Sequence, residues 1–306
     1  MLPLPNRLVN DVGLPLHRWR GGDTYKSAER LRAHVEKTRR RPESPRPPRR
    51  VERSLDIDLS HAEGWPVYEA RPREGSPRTS ILYLHGGGYV NEITRWHWLL
   101  IAQLVREVPA RCVVPIYPLA PMATAAEVVR GAASLTEGLV SGEAAEESVV
   151  VGDSAGAGLA MAASCLVRDR GGSQPARVVL ISPFLDVTMT DERGAAVASK
   201  DKMLRRPGLR EAGRLYAGSL SLEDPLVSPI YGDLRGLPPL TIFTGTHDVL
   251  DCDSRRLAER AREAGVPVEL HVVEGAPHAF PVLPTFQGAS ARRRIVEICR
   301  EPGAQP

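Results

Sequence analysis

The sequence predicts an α/β domain: a mostly parallel central sheet of about eight strands, with helices on both faces and a helical cap. Three observations carry this. Short β-branched apolar runs, such as Val149-Val150-Val151 and Val178-Val179-Leu180, have the composition of strands buried on both faces. Segments of helical length separate them, and strand and helix alternating at this spacing build parallel sheets. The alternation stops between Ser182 and Pro238, where only helix- and loop-like sequence such as DKMLRRPGLREAGRLYAGSL occurs. An insertion of this size after the C-terminal end of a strand lies over the mouth of the sheet.

Composition agrees with this class. A chain of 306 residues holds one large α/β domain or two small ones. Its 42% hydrophobic and 25% charged residues are ordinary for a chain with a substantial core. A net charge of +3 is too small to point to nucleic acid, and 36 Arg against 4 Lys reads as the bias of a GC-rich genome. Cys112, Cys165, Cys252 and Cys299 lie far apart without C-x-x-C spacing, so neither a metal site nor a disulfide framework is expected. Cys112 and Cys165, in apolar surroundings, read as buried thiols. The N-terminal MLPLPNRLVNDVGLPL lacks a basic stretch followed by an unbroken apolar one, and no run approaches 18 apolar residues. The expected compartment is the cytoplasm, with no membrane span.

Taken in order, residues 1–52 stand apart from a domain over 53–306. Asp23 to Arg41 reads as a helix with Asp23 as N-cap and Ala28, Leu31 and Val35 on one face. RRRPESPRPPRR (39–50) then breaks it with four prolines and dense positive charge. This is a solvated connector, with contact to an anionic lipid surface as the alternative. Leu55, Ile57 and Leu59 alternate in RSLDIDLS, and WPVYEA follows, so an antiparallel pair opens the sheet. TSILYLH (79–85) is a strand, Thr94 to Glu107 a helix, Arg111 to Tyr117 a strand and Thr124 to Leu139 a helix. After the valine strand and its helix come strands at 176–182 and 238–245. Asp251 to Ala264 is a helix closed by Gly265, 266–273 the last strand and Gln287 to Arg300 the last helix. Residues 1–52 and about 186–230 together are expected to form a lid.

The organising stretch is SVVVGDSAGAGLAMAA (148–163). A buried strand runs into Gly152-Asp153-Ser154-Ala155-Gly156, and a small-residue helix follows. Strand, G-x-S-x-G, helix is the nucleophile-elbow pattern, in which the serine is lifted above the sheet on a strained turn. The helix starting there aims free N–H groups at any nearby oxyanion. The pentad alone is a weak signal in a chain with 27 Gly, since a glycine-rich turn without chemistry has the same sequence.

Other reactive residues also follow strands, where ligands of an open α/β sheet bind. His85-Gly86-Gly87-Gly88 follows ILYL, and three glycines let backbone N–H groups approach a ligand closely. The stretch lacks the Lys-Ser/Thr of a phosphate loop. Asp248 comes just beyond TIFTG, and His278 just beyond ELHVV. The order Ser154, Asp248, His278 is that of an α/β-hydrolase triad. Asp251 reads as the cap of the next helix. His271 lies inside a strand and His247 precedes the acid, which leaves His278 as the base.

HGGGY, GDSAGAGL, DPLVSPIYGDLRGLPPLTIFTGTHDVLDCD and GAPHAF resemble the hormone-sensitive-lipase-like esterases of the α/β-hydrolase fold, from about Val51 to Arg300. The resemblance implies Ser154 as nucleophile, His278 as general base and acid, and Asp248 as the residue orienting the imidazole. It implies an oxyanion hole of Gly87, Gly88 and Ala155 N–H groups, with His85, Gly86 and Asp153 in support. Two departures stand out. Tyr117-Pro118-Leu119-Ala120-Pro121-Met122 replaces the family's usual Y-R-L-A-P-E, and His247 stands where another residue is usual. YPLAP resembles the branch of acetyl-ester hydrolases, which hints at a small acyl group.

The expected function is therefore hydrolysis of short- to medium-chain acyl or acetyl esters through an acyl-enzyme, with no cofactor and no metal. An amide deacetylase on the same triad is the alternative. A non-catalytic binding protein on this fold is a third reading, disfavoured because all three triad members are present. The expected partner is a small-molecule ester; no nucleic acid is expected, and a homodimer is compatible with the sequence.

Overall fold

The valine run is the middle of the sheet. In this computed structural model, which describes residues 3–6, 24–141 and 147–304, eight strands form one sheet. They are β1 (Asp56–Ala62), β2 (Trp65–Arg71), β3 (Thr79–Leu84), β4 (Ala110–Pro115), β5 (Ser148–Asp153), β6 (Arg177–Ile181), β7 (Leu240–His247) and β8 (Val268–Pro277). Their order is β1-β2-β4-β3-β5-β6-β7-β8. β2 pairs antiparallel with β1 and with β4, and every other pair is parallel. The strand order reverses at β3, so β3 and β5 flank the crevice at which open α/β sheets bind ligands.

The helices among the described residues are α1 (Ala28–Arg40), α2 (Arg49–Glu52), α3 (Arg95–Glu107), α4 (Ala125–Leu139), α5 (Ala155–Asp169), α6 (Glu192–Val197), α7 (Arg206–Ala217), α8 (Asp251–Glu263) and α9 (Phe286–Arg300). Period two along the strands divides the core into two layers. Val150, Leu82, Val178 and Ile242 face α4, α5 and α8 through Val129, Leu159 and Leu257. Val149, Val151, Ile81 and Val179 face α3 and α9 through Trp98, Leu104, Ile295 and Cys299. Capping boxes start α3, at Thr94 with His97, and α4, at Thr124 with Glu127.

The structure moves several expected boundaries. Asp23 lies outside the described residues, and α1 starts at Ala28 with Ser27 as N-cap accepting from the Arg30 N–H. Leu31 and Val35 are buried as expected. β8 runs on to Pro277, because Gly275 at φ 69° lets the chain turn and His247 pair with Pro277 after an irregularity in β7. Asp251 is not the cap of α8; that position is Leu250, and Asp251 accepts from the Thr244 hydroxyl and Arg255.

The interval after β6 carries α6 and α7. α7 packs against the N-terminal segment, where Arg32 of α1 pairs with Glu211 at 2.7 Å and Tyr25 lies against Gly208. Tyr216 of α7 stacks on Tyr89 with ring centroids 3.6 Å apart. The N-terminal end reaches α9, with the Leu4 N–H donating to the Pro284 carbonyl. In the proline-rich 39–50 stretch, Pro47 is buried and the Pro45 carbonyl accepts from the Trp98 indole, while most other positions are exposed. All four cysteines are buried and free. No helix among the described residues is long and apolar enough to cross a membrane.

Candidate active site

Ser154 sits between β5 and α5 at φ 51° and ψ −118°. Such a conformation costs a non-glycine residue on the order of 1–3 kcal/mol and persists only where the surroundings impose it. Here they do. The Ser154 N–H donates to the Ile181 carbonyl, and its own carbonyl accepts from Phe184 and Gly158. A Cβ on Gly152 would meet the Gly156 carbonyl at 2.5 Å, and one on Gly156 would overlap the Leu84 carbonyl. The two glycines of the pentad thus let α5 press its backbone against the strands.

The residues following β7 and β8 meet this serine. His278 Nδ1–H donates to Asp248 Oδ2 at 2.8 Å, and the Ser154 hydroxyl lies 2.9 Å from Nε2. Asp248 is fully buried, and its other oxygen accepts from the Leu250 N–H. With Nδ1–H committed to the carboxylate, the Nε2 lone pair faces the hydroxyl. Burial works to lower the His278 pKa, but the Asp248 charge and hydrogen bond outweigh it, helped by Asp201 and Asp153, and the pKa stands above the ordinary histidine value. The loop carrying His278 is fixed by Ser182, whose Oγ accepts from the Ala279 N–H.

Asp153 supports the glycine loop from one residue before Ser154. Its Oδ1 accepts from the Tyr83 hydroxyl and the Gly86 N–H, and a Cβ on Gly86 would collide with the carboxylate. Its Oδ2 faces His97 Nε2 at 3.2 Å, while His97 Nδ1 accepts the Thr94 N–H, so the imidazole proton points at Asp153. Burial works to raise the Asp153 pKa, and these partners outweigh it, leaving the carboxyl below its ordinary range. His85 donates from Nδ1 to the Gly86 carbonyl and stacks on Tyr117, 4.3 Å between centroids. Burial, first, and then His97 push its pKa down to about 4.

Gly87 and Gly88 adopt φ 128° and 63°, and with Ala155 at the start of α5 their N–H groups have no hydrogen-bond partner among the described residues. The Gly87 carbonyl accepts from Asn91 Nδ2 at 2.9 Å and from the Tyr25 hydroxyl. Asn91 in turn accepts from His34 of α1. Burial raises the Tyr25 pKa to about 12. Above Ser154 and His278 opens a cavity of about 300 Å³ walled by Trp96, Met203, Leu204, Leu209, Val282 and Leu283.

The structure therefore brings together Ser154, Asp248, His278, Gly87, Gly88, Ala155, His85, Gly86 and Asp153. It adds Tyr25, Asn91, His97, Ser182 and Asp201, which no motif marked. The one available signal was the His97 capping position three residues after Thr94.

Comparison with known proteins agrees with this fold. Residues 81–282 match the family model of the alpha/beta hydrolase fold. An acetyl-hydrolase of Streptomyces hygroscopicus is 35% identical over 237 residues, covering 74% of this chain and 76% of that protein. A triacylglycerol lipase of Mycobacterium tuberculosis is 34% identical over 205 residues, 67% of this chain; the match spans only 40% of that longer protein. Among solved structures, an esterase of the bacterial hormone-sensitive lipase family superposes with TM-score 0.81 at 29% identity, covering 96% of this chain and 98% of that one. A hormone-sensitive lipase from a metagenome library gives TM-score 0.82 at 28% identity, covering 99% and 100%. The chain belongs to the α/β-hydrolase fold family, among its hormone-sensitive-lipase-like esterases.

Proposed function

We propose that this esterase hydrolyses short- to medium-chain acyl or acetyl esters through an acyl-enzyme on Ser154. The observation that carries the reading is the chain of hydrogen bonds Ser154–His278–Asp248, ending in an apolar cavity of about 300 Å³. His278 Nε2 takes the hydroxyl proton as Ser154 Oγ attacks the ester carbonyl. Asp248 keeps the imidazole in the reactive tautomer and stabilises the imidazolium. The carbonyl oxygen gains negative charge, which the N–H groups of Gly87, Gly88 and Ala155 receive. His278 returns the proton to the leaving alkoxide, the alcohol departs, and water, activated by the same imidazole, releases the acid. His85, Gly86 and Asp153 hold the glycine loop during these steps.

The cap is formed by the N-terminal segment, residues 1–52, with the interval at about 186–230 that carries α6 and α7. Its support is that Tyr25, Met203, Leu204 and Leu209 come from these segments and line the cavity. The small volume and the acetyl-hydrolase kinship favour a short acyl group. The test uses p-nitrophenyl esters from acetate to palmitate, together with a fluorophosphonate label mapped by peptide mass. Label on Ser154, and turnover falling steeply beyond medium chains, are expected. Wild-type turnover in Ser154→Ala would overturn the mechanism, and preference for palmitate would overturn the chain-length reading.

A further inference from the structure

Asp201 belongs to no motif, yet it is fully buried and touches both the acid turn and the cavity wall. Its Oδ2 accepts the Val249 N–H at 3.0 Å, the residue next to Asp248. Its Oδ1 accepts the N–H groups of Met203 at 2.7 Å and Leu204 at 2.8 Å, both of which wall the cavity. The neighbouring N–H groups of Val249 and Leu250 are thus divided between two carboxylates, Asp201 and Asp248. Among the described residues no Arg or Lys pairs with the Asp201 carboxylate; Arg205 donates to the Asp201 main-chain carbonyl at 2.7 Å instead. Every polar group on its carboxylate is a donor, so a proton there would have no acceptor, and the ionised form is the one this pocket fits.

We propose that Asp201 is a positioning residue for the triad: from the cap it fixes the turn carrying Asp248, places a second negative charge behind His278, and joins the acyl-pocket wall to that turn. The proposal rests on the reading of Ser154, His278 and Asp248 as the triad. Burial and then the adjacent Asp248 raise the Asp201 pKa, against the Leu204 and Val249 N–H groups and His278. The charged and titratable groups acting on His278 are Asp248, Asp201 and Asp153, and the first is the strongest. Removing the Asp201 charge makes the imidazolium less stable, so His278 should lose its proton at lower pH. Asn at this position also turns an amide N–H₂ toward one of the N–H donors, which loosens either the acid turn or the wall.

The experiment compares Asp201→Asn with wild type, Ser154→Ala and Asp248→Asn on p-nitrophenyl butyrate, with kcat/KM recorded from pH 5 to 9. Asp201→Asn is expected to lower kcat about 10- to 100-fold with a smaller change in KM, and to move the rising limb acidward by about half a pH unit. A limb at the wild-type position overturns the proposal, whatever happens to the melting temperature, because a merely structural role does not move it. Should Asp201→Asn not fold, Asp201→Glu replaces it: the charge is kept and the reach altered. The limb should then stay in place while kcat falls, and an unchanged kcat or a shifted limb overturns the proposal. Wild-type turnover in Ser154→Ala would instead remove the triad reading itself. An inactive Ser154→Ala beside a fully active, unshifted Asp201→Asn would remove only the role of Asp201.

Discussion

The Tyr25 hydroxyl fills the space that a Cβ on Gly88 would need, 2.6 Å from that point, and donates to the Gly87 carbonyl. A segment far from the sheet in sequence thereby closes the back of the glycine loop. Gly88→Ala would force the Tyr25 ring away and strain a backbone at φ 63°. A fall in kcat of about 100-fold or more is expected, since a displaced loop misplaces the N–H groups proposed to receive the oxyanion. Asn91→Ala removes the shorter hydrogen bond to Gly87 and should cost roughly tenfold, in kcat rather than KM. Steady-state kinetics on one ester checks both; a rise in KM alone would show that the loop binds substrate instead.

Asp248 and Asp251 stand three residues apart with different partners. Asp248→Asn should lower kcat by about 10⁴, because the amide favours the wrong imidazole tautomer. Asp251 bonds Thr244 and Arg255 and does not reach His278, so Asp251→Asn should cost less than about tenfold. Measuring kcat for the two variants ranks them, and the reverse ranking would reassign the acid.

In the proposed mechanism His278 must be neutral to accept the serine proton. Since its pKa is raised, kcat/KM should climb with pH through a midpoint above about 6.5, the ordinary histidine value. The pH–rate profile of the free enzyme reads this directly. A midpoint below that value would mean that burial prevails over Asp248.

His85 is kept neutral by burial, with a pKa of about 4 when folded. Its unfolded value is higher, so the unfolded chain binds the proton first and stability falls as pH drops from about 6.5 towards 4. For this one group the loss amounts to about 3 kcal/mol. Urea unfolding at pH 7 and pH 4.5 should show a shallower pH dependence in His85→Phe than in wild type. Equal slopes would show that the imidazole does not titrate on unfolding.

Much of the site was legible because each motif residue follows its own strand, and strands announce themselves by apolar runs. Ser154, His85, Asp248 and His278 could all be placed that way. Asp251 was misread because acidic residues at a helix start are so often caps, whereas here it turns back to Thr244 of β7. Tyr25, Asn91 and Asp201 left no trace, since what ties each to the site is a partner distant in sequence, the Gly87 carbonyl for Tyr25, His34 and Tyr25 for Asn91 and the Val249 N–H for Asp201, and neither periodicity nor spacing encodes such contacts. His97 was half visible: Thr94 suggested a helix start, but only the fold brings Nε2 to Asp153. The long end of β8 was hidden by Gly275, which looks like a stop and acts as a kink.

The glycines beneath Ser154 carry a consequence for how this enzyme can change. Gly152, Gly156 and Gly86 press backbone or carboxylate against places where a single methyl group would collide. The opposite wall of the cavity is made of side chains, and Asp201 grips Met203 and Leu204 only by their backbone N–H groups. On the proposed mechanism, substrate range and reaction chemistry are therefore written in different parts of the gene. Directed evolution confined to codons 203, 204 and 209 should find many viable solutions, and the same effort spent on codons 152–156 should find almost none.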